Sequence, residues 1–120
     1  MAVAHRDRGM ATAELAVALP AVFLVIMAGM TAVSVLTAQL RCVDAAREGA
    51  RAAARGESSA VVHSVAGSAG PAGATVTTGG DAESVTVTVS ARSRRGGVLP
   101  SFRVDAVAVA RREPERTGVP

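Results

Sequence analysis

The chain has 120 residues and a formal charge of +3, enough for one small domain beside one membrane segment. Nearly half of it is hydrophobic, yet Phe23 and Phe102 are its only aromatic residues and most of the apolar weight is Ala and Val. A purely soluble core of such small side chains would be thin, so the composition argues against a large globular enzyme, and the modest basic excess does not argue for nucleic acid. Cys42 stands alone, which excludes an intrachain disulfide and a multi-cysteine metal site.

Residues 1–9, MAVAHRDRG, form a short polar segment ending in Gly9. From Leu15 to Leu40 there is no charge in 26 residues. Roughly 20 apolar residues cross a bilayer as a helix, so this run is read as transmembrane. A buried core helix is the competing reading, but too little chain remains to cover it. Pro20 would cost about 3 kcal/mol inside a soluble helix and is better tolerated in a membrane helix.

The helical pattern continues past the apolar run through RCVDAAREGARAAAR, residues 41–55. Arg47, Arg51 and Arg55 recur at i, i+4, beside a stripe of Ala46, Ala50 and Ala54. Asp44 with Arg47, or Glu48 with Arg51, gives an i, i+3 ion pair. Gly56 is the expected stop. A helix from about residue 10 to 55 would be on the order of 70 Å long, its second half a stalk beyond the bilayer.

A short amphipathic helix, SSAVVHSVAGSAG, follows with Ser58 or Ser59 as its cap. Two β-like runs come next, ATVTT at 74–78 and SVTVTVSA at 84–91, joined by a GGD turn. The loop SRRGGVLP, 93–100, leads to a third strand, FRVDAVAVARR, 102–112. The fold class is α+β: a long N-terminal helix continuing into a stalk, then a short helix and a small antiparallel sheet of about three strands. The division is a leader over 1–9, the long helix over 10–56, a head over 57–112 and a disordered tail over 113–120.

The residues bearing on function border the apolar run. Glu14 places a carboxylate at its edge, where a charge is costly unless it is paired or lies at the interface. A position in the first helical turns eases that cost, because the helix N-terminus favours negative charge. On this basis alone Glu14 reads equally well as a helix-terminal charge at the membrane surface.

Spacing adds more. The stretch RGMATAELAVALP has a basic leader ending in Gly9, one residue, Met10, and then Glu14 as the fifth residue after the glycine. This resembles the signal of type IV prepilins. With the apolar run and AQLRCVDAAREGARAAARGE, the chain looks like the TadE-like minor pilins or pseudopilins of tight-adherence (Flp-type) pilus systems, of the actinobacterial type. The resemblance implies a non-enzymatic structural subunit without cofactors. A prepilin peptidase would cut between Gly9 and Met10. Glu14 would guide processing and pair with the freed amine of a neighbouring subunit, which neutralises two charges in apolar surroundings. The implied partners are that peptidase, a major Flp-type pilin and other pseudopilins, the assembly platform with its ATPase, and membrane lipid, but not nucleic acid. The implied location is the cell membrane, with a single pass and residues 41–120 outside the cytoplasm, or a surface pilus. The flanking arginines do not favour that topology: Arg6 and Arg8 against Asp7 precede the run, while Arg41, Arg47, Arg51 and Arg55 against Asp44 and Glu48 follow it.

The alternative is a single-pass or secreted binding module with a β-rich extracytoplasmic domain. An ordinary signal cut near Ala32-Val33-Ser34 or Leu36-Thr37-Ala38 would release it. Other constellations carry less. His5 and His63 are too isolated for a metal pair. No nucleophile elbow is present. The GG pairs at 79–80 and 96–97 read as turns, and Arg94-Arg95 and Arg111-Arg112 as solvated edges, with anionic lipid or nucleic acid as the lesser reading. Cys42 reads as a small packing residue, with lipidation or an intermolecular disulfide as the lesser one.

Overall fold

The computed structural model describes residues 2–93 and 101–114. Its elements are helix α1 (Ala2–Ala54), helix α2 (Ser59–Ala69) and strands β1 (Thr75–Gly80), β2 (Ser84–Ser93) and β3 (Phe102–Arg111). The expected α+β class and element order are observed. The chain divides into two units, Met1–Ser34 and Val35–Pro120. Helix α1 gives its first part to the former and residues 35–54 to the latter.

Helix α1 begins well before residue 10, where the sequence pattern placed its start. The leader has good helix formers, Ala and Arg, and no proline, so the helix propagates through it and through Gly9. At the other end Gly56 takes φ +80°. Its N–H donates to Ala53 (3.0 Å) and the N–H of Glu57 donates to Ala52 (3.2 Å). These are the paired bonds of a Schellman stop, which needs a residue in the left-handed region. Of the two ion pairs expected, Glu48–Arg51 forms at 3.5 Å on the exposed face, and no Asp44–Arg47 pair is seen among the described residues.

Ser58 is the N-cap of α2: its side chain accepts from the N–H of Val61. The helix buries Val62 and Ala66, one turn apart. The three strands form one antiparallel sheet in the order β1-β2-β3. Strict alternation sorts β2 into buried Val85, Val87, Val89 and Ala91 and a hydroxyl-bearing opposite face. In register with the buried set, β3 contributes Ala110, Ala108, Ala106 and Val104. The β1–β2 turn is built on Asp81, whose Oδ1 accepts from the N–H groups of Glu83 (2.9 Å) and Ser84 (2.7 Å) and from the Ser84 hydroxyl (3.0 Å). Just before it Gly80 has φ +122°, and a Cβ there would run into the Ser84 carbonyl oxygen.

The core of the second unit joins both helices and the sheet. Cys42, Ala45, Ala46, Ala50 and Ala52 of α1 are buried with Val62 and Ala66 of α2 and the inner valines of β2. The part of α1 read as a stalk is therefore also one wall of the head. Among the described residues the core contains no Leu, Ile or Phe, so close backbone approach replaces side-chain bulk. Gly49 makes this explicit: a Cβ there would lie 3.0 Å from both the Ala66 Cβ and the Val87 Cγ1. Of the tail expected over 113–120, Glu113 is described and its N–H donates to the Ala54 carbonyl (3.2 Å); the residues beyond 114, the Gly96-Gly97 pair and Arg94-Arg95 lie outside the described residues.

Candidate functional site: the border of the N-terminal apolar helix

Gly9, Met10 and Glu14 all lie on α1, within the unit Met1–Ser34. Met10 and Glu14 are one turn apart, i and i+4, and so share a face about 6 Å apart along the axis. Met10 is 71% exposed, Glu14 is exposed, and nothing lies within 4 Å of where a Gly9 Cβ would stand. Among the described residues Glu14 forms no ion pair. The three residues thus form an open surface on one helix rather than a closed pocket.

Beyond Glu14 the helix is long and apolar enough to cross a membrane, and none of its most apolar stretch is buried within the structure. Exposed large side chains run from Leu15 to Leu40. The hydroxyls in this run are satisfied locally. Thr31 donates to the Met27 carbonyl (2.8 Å) and Ser34 to the Met30 carbonyl (2.9 Å), four residues back. Such bonds let hydroxyl residues sit on a helix facing an apolar medium without unmet donors. At the end of the run Gln39 donates from Nε2 to the backbone carbonyl of Asp105 at 2.9 Å, tying α1 to strand β3.

Elsewhere on the described surface no catalytic or metal-binding grouping is seen. His63 is exposed on α2. Among the described residues no group of three or more His, Cys, Asp or Glu could hold a metal ion. An open cavity of about 360 Å³ lies where α1 gives way to α2, lined by Glu57, Ser59, Thr78 and Arg112 among others. Its Glu57 carboxylate accepts from the Arg55 guanidinium at 2.7 Å.

The family comparison starts at Gly9. The pattern of the TadE-like protein family matches residues 9–51, which take in Met10, Glu14, the apolar run and the α1 residues of the head core. The chain is also 43% identical over 106 residues to a Mycobacterium tuberculosis protein named apoptosis inhibitor Rv3655c, covering 88% of this chain and 79% of that one. The chain belongs to the TadE-like family. No solved structure matches it. TadE-like membership and a long N-terminal apolar helix together fit a pilus-associated membrane subunit. They also fit a structural role rather than a catalytic one.

Sequence reasoning found the border residues but missed Gln39 and Gly49 as packing determinants. Gln39 could have been noticed as the one amide in the apolar run, in its last turn. Gly49 could have been noticed as the one glycine among the alanines of residues 45–54.

Proposed function

We propose that this TadE-like chain is a minor pilin or pseudopilin: a single-pass membrane subunit with an extracytoplasmic head, used in assembling or initiating a Flp-type pilus. The observation behind this reading is a family match that begins at Gly9 and covers Glu14 and the apolar run. A prepilin peptidase cuts after Gly9. Glycine is the poorest helix former in that part of α1, costing about 1 kcal/mol relative to alanine, so the helix opens there most readily. Met10 becomes the new N-terminus and the anchor is retained.

Glu14 then stands one turn into the shortened helix with no partner of its own among the described residues. It pairs with the Met10 amine of a neighbouring subunit. An unpaired acidic charge costs about 2.5–3.5 kcal/mol at mid-membrane and less at the border, and pairing relieves that cost while fixing the axial register of adjacent helices. The partners are the peptidase, a major Flp-type pilin with sibling pseudopilins, and the assembly platform with its ATPase.

Surface piliation in strains carrying Gly9→Ala or Glu14→Ala tests the reading. Both variants lose piliation while the head keeps its thermal stability. Normal piliation in both would contradict the assignment.

A second reading draws on the relative named as an apoptosis inhibitor. In it the head is a secreted or membrane-held module that acts on another protein. A mature chain starting near Gln39 would favour this reading.

A further inference from the structure

Arg92 and Arg103 stand directly opposite each other on β2 and β3. Both are exposed, on the sheet face away from the core. Their Cβ atoms are therefore about 5 Å apart, and like charges at such positions destabilise a sheet. Among the described residues neither arginine forms an ion pair that would offset this repulsion. The acid nearest in the register, Asp105, stands one row away opposite Ser90 and is outnumbered two to one.

The surroundings suit an anion. An open cavity of about 320 Å³ is lined by Arg92, Arg103, Thr75, Ser90 and Gly73. Thr75 and Ser90 are paired across β1 and β2, adding two hydroxyls beside the guanidinium groups. Gly73 leaves the third side open, with nothing within 4 Å of a Cβ position. Guanidinium forks match the oxygens of a phosphate, and hydroxyls donate to the same oxygens.

Position within the head selects the source of the phosphate. Strand β3 runs alongside α1 in the same direction: Asp105 is bonded to Gln39, and the N–H of Glu113 donates to the Ala54 carbonyl. Arg103 precedes Asp105 by two residues, about 7 Å of strand, which sets it about one helical turn before Gln39. That is close to the level of Leu36, an exposed residue near the end of the apolar run. In sequence, residues 92–103 read RSRRGGVLPSFR, with four arginines and no acid. Basic residues next to the end of a membrane segment meet anionic headgroups.

We propose that Arg92 and Arg103, with Thr75 and Ser90, bind the phosphate of an anionic phospholipid headgroup and dock this end of the head on the membrane surface. The proposal rests on the reading of the apolar run as a membrane anchor.

The chain has no tryptophan, so Phe102→Trp in the full-length protein supplies a single reporter beside the pair. Reconstitution compares phosphatidylcholine vesicles with and without phosphatidylglycerol, using lipids brominated near the headgroup as quenchers. Strong quenching appears with phosphatidylglycerol and is reversed by high salt. Arg92→Gln with Arg103→Gln lowers the docked-to-free ratio on the order of twenty-five-fold, about five-fold per arginine. Protection of the buried Cys42 thiol from alkylation shows that the variant head is folded. The salt reversal needs no variant at all. Equal quenching in both vesicle types, or with and without the arginines, overturns the proposal. Binding of inorganic phosphate by the detergent-solubilised protein, with no quenching in phosphatidylglycerol vesicles, makes the site one for free phosphate and overturns the proposal too. Flotation after alkaline extraction separates the two layers of the argument. A chain that does not float overturns the anchor reading and the proposal together, whereas one that floats without quenching overturns the proposal alone.

Discussion

Gly49 of α1 faces Val87 of β2 so closely that a Cβ on the glycine would lie 3.0 Å from the Val87 Cγ1. Val87 is itself fully buried. The contact joins the helix to the middle strand of the sheet, in a core whose described side chains are no larger than valine. Such a core works by close approach, so it tolerates added volume poorly.

Gly49→Val therefore destabilises the head by about 1–3 kcal/mol, the usual cost of overpacking. Gly29→Ala, where nothing lies within 4 Å, leaves it unchanged. Denaturant titration of the two detergent-solubilised variants checks this, and equal stability of both would show that the helix does not pack as described.

Val85, Val87 and Val89 of β2 are buried in the head's core. Val87→Ala loses about 2 kcal/mol, between the costs of smaller and larger core truncations. Val107→Ala, on the outer face of β3 and 60% exposed, costs little. A thermal melt of each variant distinguishes them. Equal losses would put the wrong face of the sheet inward.

The β1–β2 turn predicts a pH dependence. Hydrogen bonds from the backbone N–H groups of Ser84 and Glu83, then from the Ser84 hydroxyl, hold the Asp81 carboxyl below its ordinary value of 3.8. A carboxyl lowered in the folded state adds stability that is fully present above the unfolded value and is lost as pH falls through the folded one. Asp81→Asn should flatten this acid limb while leaving the neutral-pH fold in place. Unfolding midpoints measured across the acid range report it directly, and an unchanged limb in the variant would remove Asp81 as its source.

Much of this head was legible because its strands alternate cleanly. SVTVTVSA marked β2 with its buried valines, and the stop at Gly56 and a cap at Ser58 or Ser59 followed from local chemistry, the structure choosing Ser58. Helix α1 was legible in extent except at its start: Gly9 marked a motif, and a motif boundary is not a helix boundary. The role of residues 42–52 was harder to see. An alanine stripe beside an arginine stripe describes an exposed stalk as well as a packed wall, and only the sheet's position decides between them. The same holds for Gln39, whose partner is a backbone carbonyl 66 residues away. Arg92 and Arg103 are 11 positions apart in sequence and become neighbours only through the β2–β3 register. For the border site, Gly9, Met10 and Glu14 were visible as spacing, and the fold adds that Met10 and Glu14 share one exposed face.

The central claim is that Gly9 and Glu14 turn a generic apolar helix into a processed pilin-type anchor. N-terminal sequencing of the mature protein, purified from its own cells, tests it most directly. The account predicts a chain that starts at Met10. A chain that retains the residues before Met10, or one that starts near Gln39, would contradict it.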